Sequence, residues 1–488
     1  MRLTIRNGTI ATASGTYRAD IVCDDGYISS IKISGSVRPG DEDIDASDLL
    51  VFAGFIDPHV HSRDPGLTEK EDFAHSTAAA AAGGLTTILE MPNAVPPVTD
   101  ERTLRARADQ HSKVAYVDFG LWGMSLGAQN LNELAALLNA GAIGIKLFWG
   151  YALDKVTKEL VYNLGDKTPD ELFYPPKLGE VLDLFAAVAS EGGLLAAHCE
   201  DREVIEGYER ALGSEVGDYA DLLERRPDSA EAVSISLAIE FSRSTGCRFH
   251  VVHMASSRAV RLVRAAQRDG IAISAETCPH YLTLTDQSFE KLGPLMKVYP
   301  LIRRAEDQRA LREAIVDGTI VSVGSDHAPH TIEQKRQPLA EGPAGFLGVE
   351  TIVRLMLNEA AESRIPVKRI AWVLGEGTAR LYGLYPRKGV ILPGADADFT
   401  IVDPERSWTI RNEDLHSKNP LSPWHGWSGK WMPVWGVLRG RPIMRNGDVV
   451  GEPSGRWVRS SRSAAGTASV PKAAHDATRG VPAQRSEQ

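Results

Sequence analysis

Eight short apolar segments, each followed by a longer stretch with helical character, constrain the fold of this chain more than any other feature. From Ile56 in the first segment to Val321 in the last, the chain runs 265 residues over seven intervals, about 38 residues each. Each interval has room for a strand, a helix and two loops, so the pattern indicates βα units and a parallel sheet. Eight such units predict an α/β fold of the (β/α)8 TIM-barrel type. In chain order the segments read GFIDPHVH, TTILEMPN, YVDFGLW, IGIKLFWG, LLAAHCE, FHVVHM, ISAETCPH and IVSVGSDH.

The two ends of the chain have a different pattern from the barrel, which we predict over residues 54–384. Residues 1–53 consist of short strands broken by turns, and β character returns over residues 385–453. We therefore expect both chain ends to form one β-sandwich domain. Residues 454–488 are rich in Ser, Ala and Arg without periodicity, which predicts a disordered tail. The segment 151–176 is long for a βα loop and predicts a lid or an interface element.

Composition excludes several classes of function. The 54 Lys and Arg residues against 64 Asp and Glu give a net charge of −10, which argues against binding to a nucleic-acid backbone. The N-terminus lacks the apolar core of a secretion signal, and no run of about 18 apolar residues follows, so we expect a cytoplasmic protein that does not cross a membrane. Four scattered cysteines without a CxxC pair fit reduced thiols.

Two histidines end the first barrel strand, in the order Asp57-Pro58-His59-Val60-His61. The strand period of two points His59 and His61 to the same face, at the end of the barrel where catalytic groups gather. Because neutral imidazole is the commonest metal donor in proteins, this pair predicts metal ligands.

Lys146 lies inside the apolar segment GAIGIKLFWG, on a strand that should be buried on both faces. A free ammonium group there would be unfavourable unless it is paired or neutralised. One interpretation is a buried ion pair or a lysine that reaches solvent. The other is a carbamate, formed from the amine and carbon dioxide, whose two oxygens can bridge two cations.

Three further donors come at or near the ends of other strands. His198 ends LLAAH, His253 lies near the end of FHVVHMAS, and Asp326 closes the eighth strand. His250 lies three residues before His253 and should face the opposite side, as a packing residue. Burial could explain any one donor, but together they predict a metal site made of His59, His61, Lys146, His198, His253 and Asp326.

The sequence resembles the cyclic-amidohydrolase branch of the amidohydrolase superfamily, which includes dihydroorotases, allantoinases, hydantoinases and dihydropyrimidinases. The resemblance covers roughly residues 1–455. It implies a barrel with a β-sandwich from both termini, two divalent metal ions that are usually zinc, and a homo-oligomer such as a dimer or tetramer. The motifs that carry it are GFIDPHVHSRDPG, AAGGLTTILEMPN, GIKLF, AAHCE, HVVHMAS, AETCPHYLTL, GSDHAPH, PAGFLGVET and GADADFTIVD.

The same resemblance implies how the donors divide between the two ions. His59, His61 and Asp326 would bind the first ion, His198 and His253 the second, and N6-carboxylated Lys146 would bridge them. Two cations about 3.5–4 Å apart lower the pKa of a bridging water, and the resulting hydroxide attacks the ring carbonyl of a small cyclic amide. Asp326 can accept the proton and pass it to the leaving nitrogen, which opens the ring; the reverse closure is also possible.

Three residues favour a ring that bears a carboxylate. Arg63, Asn93 and His330 match the residues that bind the substrate carboxylate in dihydroorotases, although a rim salt bridge, a turn cap and a packing histidine would explain them separately. We therefore expect a dihydroorotase-like hydrolase.

Two departures keep alternative substrates open. The stretch 299–303 reads YPLIR where dihydroorotases have NPPLR, so a ring-contacting Asn is missing. Tyr151 stands where hydantoinases and dihydropyrimidinases carry a tyrosine that binds the substrate, although it could simply pack at the start of the long loop. The first alternative is therefore an allantoinase or a hydantoinase acting on a ureide ring.

Two further classes share this fold. Some relatives have lost metal ligands and serve as catalytically silent scaffolds, but all six donor positions are filled here. Mononuclear deaminases do not need a bridging lysine, so Lys146 argues against that class.

Overall fold

Five strands at the N-terminus begin the structure, a computed structural model that describes residues 1–161, 170–213 and 216–461. Strands β1 and β2 form an antiparallel hairpin, and β5 lies parallel to β1. The alternation of apolar and polar residues in β1 and β2 buries one face, as expected for a strand that covers a core on one side. The five strands are β1 (Arg2–Thr12), β2 (Gly15–Asp24), β3 (Tyr27–Ile33), β4 (Glu42–Asp45) and β5 (Leu50–Ala53).

A closed parallel barrel follows, and its strands come from the eight predicted segments, with one more short strand, Gly123–Met124, directly after the third segment. Val60 pairs with His327 at the end of the eighth segment, which closes the ring. The (β/α)8 prediction is confirmed. The barrel strands are β6 (Phe55–Val60), β7 (Leu85–Glu90), β8 (Asp118–Leu121), β9 (Gly123–Met124), β10 (Ile145–Trp149), β14 (Leu194–Cys199), β15 (Arg248–Val251), β16 (Ile273–Thr277) and β17 (Ser322–Val323), and a small sheet after β10 holds β11 (Ala152–Asp154), β12 (Leu160–Val161) and β13 (Leu172–Phe173).

The last strands return to the N-terminal sheet, as predicted for a domain built from both chain ends. β18 pairs antiparallel with β5, with Phe399 opposite Ala53. The result is one sheet of nine strands in which the N-terminal and C-terminal halves meet at this pair. The C-terminal strands are β18 (Phe399–Thr409), β19 (Ser428–Leu438), β20 (Arg441–Arg445) and β21 (Asp448–Val449).

Helices connect the barrel strands and cover the outside of the barrel. Within the described residues, none of them is long and apolar enough to cross a membrane. The helices are α1 (Phe73–Gly83), α2 (Glu101–His111), α3 (Leu134–Ala140), α4 (Leu178–Ser190), α5 (Arg202–Leu212), α6 (Tyr219–Arg225), α7 (Asp228–Thr245), α8 (Ser257–Arg268), α9 (Pro279–Thr283), α10 (Phe289–Leu292), α11 (Ala305–Asp317), α12 (Ile332–Lys335), α13 (Ile352–Ala361), α14 (Val367–Ala371) and α15 (Gly377–Leu381).

A buried charge cluster joins the barrel to the nine-stranded sheet. The Lys388 ammonium group lies 2.9 Å from Asp396 and 2.6 Å from Asp398, and it also contacts Asp118 on β8. Arg439 pairs with Asp118 from the other side. The acidic side chains therefore have cationic partners, which explains how three carboxylates can be buried together.

The first eight residues of the predicted C-terminal tail, 454–461, are ordered against the barrel. Gly455 N donates to Ala115 O at 2.8 Å, and Val458 N donates to Phe119 O at 2.8 Å. Residues 454–461 thus run along the barrel, because their backbone groups find partners beside β8. The rest of the predicted tail, 462–488, lies outside the described residues, as does the middle of the long loop, 162–169. A lid or interface role for that loop remains a prediction.

Candidate active site

All six predicted metal donors line one cavity at the carboxyl ends of the barrel strands. The convergence follows from the fold, because parallel strands of a closed barrel all end at the same rim. The cavity is also lined by Arg63, Phe148, Tyr151, Val298, Tyr299, Ala328, Ala344 and Gly345.

The first donor group consists of His59, His61 and Asp326. The Nε2 atoms of the two histidines lie 3.3 and 3.5 Å from the same Asp326 oxygen. Burial lowers the pKa of His61 to about 4, although Asp326 opposes this shift. Burial would raise the pKa of Asp326, but the neighbouring imidazoles outweigh it and lower that pKa to about 2. These groups can hold a cation as neutral imidazoles and a carboxylate.

The second donor group is formed by His198 and His253 on adjacent strands. His198 Nδ1 lies 3.1 Å from His253 Nε2, so two ring nitrogens face each other in the cavity. Burial lowers the pKa of both imidazoles and keeps them neutral. Two facing neutral nitrogens can bind one ion together.

Lys146 is fully buried, and its amine has no polar partner in the part of the chain that the structure describes. Its Nζ makes no hydrogen bond or ion pair with any described residue, and the ring of Phe148 is 5.1 Å away. Burial lowers the pKa of the amine to about 8. Of the two interpretations drawn from the sequence, a buried ion pair finds no partner here. An anionic carbamate at this position would fit the neighbouring donors, because it would complete a set of ligands for two cations.

Three of the cavity residues have an unusual backbone conformation. Arg63, His253 and Asp326 have φ angles of +64°, +38° and +50°, in the left-handed region that non-glycine residues seldom adopt. Such strain persists where the surrounding structure enforces it and is typical of functional sites. Gly324, two residues before Asp326, allows a close approach, because a Cβ there would lie 2.8 Å from the Cβ of His59.

A buried carboxylate on β16 supports the first donor group, and the sequence reasoning missed it. His59 Nδ1 donates to Glu276 Oε1 at 2.6 Å, and the Tyr382 hydroxyl donates to the other oxygen at 3.2 Å. His250 faces the same carboxylate at 3.4 Å, outside the cavity. When a histidine binds a metal through one ring nitrogen, a carboxylate that accepts a hydrogen bond from the other ring nitrogen fixes the orientation and tautomer of the ring. The sequence did contain a signal for Glu276, because an acidic residue in an apolar strand is as unusual as a lysine in one.

A second buried carboxylate, Glu200, supports His198 in the same way. His198 Nε2 donates to Glu200 at 2.9 Å, and the Arg226 guanidinium pairs with the same oxygen at 2.9 Å. Arg226 also stacks on the ring of Tyr299, 3.8 Å from its centroid. Burial would raise the pKa of Glu200, but Arg226 and His198 hold it below its usual range.

The four predicted substrate residues occupy different places. Arg63 and Tyr151 line the cavity, and the Tyr151 hydroxyl lies 2.8 Å from His198 Nε2. Asn93 does not line the cavity. Its side chain turns to His61 instead, and its Oδ1 accepts a hydrogen bond from His61 Nδ1 at 2.6 Å. His330 is also outside the lining, where its Nε2 donates to Ala344 O at 2.9 Å.

Arg63 has no acidic partner among the residues that the structure describes. Its Nε donates to Pro329 O at 3.1 Å, and its Nη2 lies 3.5 Å from His330 Nε2. The side chain is buried and faces the cavity. It therefore presents a positive charge that no carboxylate in the described chain neutralises.

A parallel barrel that gathers imidazole, lysine and carboxylate groups at the carboxyl ends of its strands is typical of metal-dependent hydrolases. The chain belongs to the amidohydrolase family, whose profile matches residues 50–443. It is a hydrolase that acts on carbon–nitrogen bonds in cyclic amides.

Individual relatives cover almost the whole chain. An allantoinase from Rubrobacter xylanophilus is 35% identical over 94% of this chain and 98% of its own length. A dihydroorotase from Methanothermobacter thermautotrophicus is 33% identical over 90% of this chain and 94% of its own. The solved structure of an L-hydantoinase (dihydropyrimidinase) from Arthrobacter aurescens matches with a TM-score of 0.87, at 30% identity, over 94% of this chain and 99% of that one. The fold and the class of reaction are therefore shared among relatives named for different substrates.

Proposed function

We propose that this chain opens a cyclic ureide ring, using two divalent metal ions, most simply zinc, held by the six cavity donors. The observation that carries the proposal is the Lys146 amine, which is buried among four histidines and an aspartate and has no hydrogen-bond partner among the described residues. A structural lysine would need an acidic neighbour at this depth. A lysine that becomes a carbamate would not need an acidic neighbour, because the carbamate would be paired with the metal ions.

Carbamate formation on Lys146 balances without a further reactant. The neutral amine attacks the carbon of carbon dioxide, a nitrogen–carbon bond forms, and one proton leaves to solvent. The product is an anion whose two oxygens could serve as metal ligands. His59 and His61 would share the first ion with Asp326, and His198 and His253 would share the second.

The residues of this chain then handle the proton and the substrate. Bound divalent cations supply Lewis acidity and lower the pKa of a water molecule. Asp326, between His59 and His61, can accept the proton of that water and return it to the leaving ring nitrogen. The Tyr151 hydroxyl can donate to the carbonyl oxygen as negative charge develops there. Phe148 and Tyr299 line the cavity and would exclude water from a bound ring.

Tyr151 and the named relatives favour a ureide ring. Allantoinases from five genera align with at least nine tenths of this chain, as does an L-hydantoinase. A neutral ring with several carbonyl and N–H groups needs hydrogen-bonding partners such as Tyr151 rather than a counter-charge. Asn93 and His330 would then act indirectly, by orienting His61 and Arg63.

A dihydroorotase-like reaction is the second candidate, and Arg63 is the observation that favours it. An arginine that faces a cavity without an acidic partner can bind a carboxylate through two parallel hydrogen bonds. A dihydroorotase is also among the relatives that span the chain.

A turnover panel separates these possibilities. The zinc-loaded protein would be assayed with allantoin, a 5-substituted hydantoin, dihydrouracil and dihydroorotate at matched concentrations. We expect the highest kcat/KM with allantoin or the hydantoin. A clear preference for dihydroorotate would replace the ureide proposal with the second candidate. Absence of turnover with two bound ions would overturn both and favour a catalytically silent scaffold.

A further inference from the structure

Two neighbouring buried arginines at the end of α6 have different partners. The helix ends at Arg225, and Arg226 has left the helical conformation (φ −119°, ψ 69°), because the ring of Pro227 disfavours a helical residue before it. Arg225 pairs with Asp221 on its own helix at 2.9 Å. Arg226 instead reaches a carboxylate beside the candidate active site, so the break in the helix determines where its charge lies.

The ion pair between Arg226 and Glu200 is buried, and it is made through a single oxygen of the carboxylate. The two residues are 3% and 1% exposed, and Arg226 Nη2 lies 2.9 Å from Glu200 Oε2. Arg226 Nε and Glu200 Oε1 have no hydrogen-bond partner among the residues that the structure describes. An arginine and a carboxylate bind most strongly through two parallel hydrogen bonds. Stability of the pair alone therefore does not explain where the guanidinium group is held.

The other contacts of Arg226 are with two tyrosines that line the cavity. Its Nη2 atom lies 3.5 Å from the Tyr151 hydroxyl oxygen, and its guanidinium carbon lies 3.8 Å from the centroid of the Tyr299 ring. A guanidinium group over an aromatic face is attracted to the ring electrons. The backbone oxygen of Arg226 accepts from Arg303 Nη2 at 3.0 Å, which fixes the base of the side chain. One side chain thus contacts two walls of the cavity and a supporting carboxylate.

The contact with Arg226 also constrains the direction of the Tyr151 proton. The guanidinium group is a donor only, so the Tyr151 oxygen accepts from it. His198 Nε2, 2.8 Å from the same oxygen, carries a proton because it donates to Glu200 at 2.9 Å, and a protonated ring nitrogen cannot accept. The O–H bond of Tyr151 therefore points away from both groups, as donation to a substrate carbonyl requires.

We propose that Arg226 is a positioning residue, which holds the Tyr151 hydroxyl and His198 in a fixed relative position. It does not line the cavity and acts through its neighbours: Nη2 contacts Tyr151 directly, and it holds His198 through Glu200. This inference deepens the proposed function and rests on it for the ion that His198 and His253 would share. Loss of the guanidinium group would weaken that ion and would also misdirect the donor to the ring carbonyl.

Arg226→Lys in the full-length chain tests the proposal, with Arg225→Lys as the matched control. Lysine keeps the charge, but one ammonium group cannot pair with Glu200 and also stack on an aromatic ring. Competition with a zinc chelator, without substrate, should show one of the two ions bound about tenfold more weakly. On the ring that the wild type prefers, kcat should fall about 100-fold with a smaller change in KM, because Tyr151 acts on charge that develops in the transition state. Arg225→Lys should change neither quantity, because Arg225 pairs with Asp221 and does not line the cavity.

A double variant separates positioning from general destabilisation. If Arg226 acts through Tyr151, the variant that carries Tyr151→Phe and Arg226→Lys should have the kcat of Tyr151→Phe alone. Losses of kcat that multiply in full would overturn the proposal, as would unchanged zinc affinity in Arg226→Lys or equal effects in Arg225→Lys. A wild type that binds two ions but opens no ureide overturns the proposed function alone, because the chelator titration needs no substrate and still decides the role of Arg226. A wild type that binds no zinc overturns both.

Discussion

Replacement of Glu276 by glutamine tests whether the buried carboxylate controls the first metal group. Glutamine has the same shape, and its oxygen can still accept from His59 Nδ1, which lies 2.6 Å from the carboxylate in the wild type. The change therefore removes the negative charge and leaves the packing intact. It also forces an amide N–H₂ group towards Tyr382 and His250, which contact the other oxygen at 3.2 and 3.4 Å.

The size of the effect follows from how much His59 relies on that charge. Burial alone would favour a neutral acid, yet His59 and His250 hold the pKa of Glu276 below its ordinary range, so the folded protein keeps an anion there. Loss of such a partner lowers metal affinity about 10–100-fold. This corresponds to roughly 1.4–2.7 kcal/mol. We expect the weakening at one ion, because His198 and His253 have their own support in Glu200.

Competition with a chromophoric zinc chelator measures the two affinities separately from activity. Glu231→Gln is the matched control, because Glu231 is also fully buried but accepts from Ala255 N and does not contact a predicted donor. The reasoning is refuted if Glu276→Gln binds two ions as tightly as the wild type. It is also refuted if both variants lose metal equally, since general destabilisation would then explain the loss.

Three other perturbations give distinct signatures. Lys146→Ala should abolish activity and lower the metal content, with partial recovery on adding short carboxylic acids; full activity with two ions would contradict carbamate formation. Arg63→Ala should raise KM far more for a ring that bears a carboxylate than for a neutral one, and equal effects would argue against carboxylate recognition. Burial raises the pKa of Glu71 to about 8, whereas an unfolded glutamate titrates near roughly 4.3. The stabilising protonated form is therefore lost as the pH rises towards 8. Denaturant titrations at several pH values should show the wild type losing up to about 1.4 kcal/mol more per pH unit than Glu71→Gln across this window, and parallel curves would exclude the effect.

The barrel could be predicted from sequence because its signal repeats eight times. Each buried strand is a short apolar run, and a polar residue at its end stands out. His59, His198 and Asp326 are such residues, so these candidate donors could be picked out before the fold was known. The ring order and the closing pair between Val60 and His327 then follow from the closed parallel topology.

The supporting residues were harder to predict, because their partners lie far away in sequence. Glu276 lies 217 residues from His59, and Arg226 reaches Glu200 from the end of a helix that the periodicity does not distinguish. Asn93 illustrates the opposite case, a residue that was predicted to contact the substrate and does not line the cavity. The resemblance to dihydroorotases predicted a substrate contact for Asn93, yet in the structure its side chain turns towards the neighbouring His61 and accepts a hydrogen bond from it.

The C-terminal segment shows a second structural feature that amino-acid composition does not predict. Residues 454–461 carry no periodic apolar pattern, but backbone groups can add to an existing structure without one. Gly455 and Val458 do so beside the barrel. Composition describes what a segment can bury, and it does not report backbone partners supplied by another part of the chain.

The pairing of β5 with β18 has a consequence for synthesis on the ribosome. Ala53 leaves the exit tunnel long before Phe399, its partner, has been translated. At roughly 5–20 residues per second, the intervening chain takes about 20–70 seconds to make. During that interval the nascent N-terminal strands present an open edge that can pair with a neighbouring chain on the same message. Slower initiation, which spaces ribosomes apart, should therefore increase the yield of correctly folded protein.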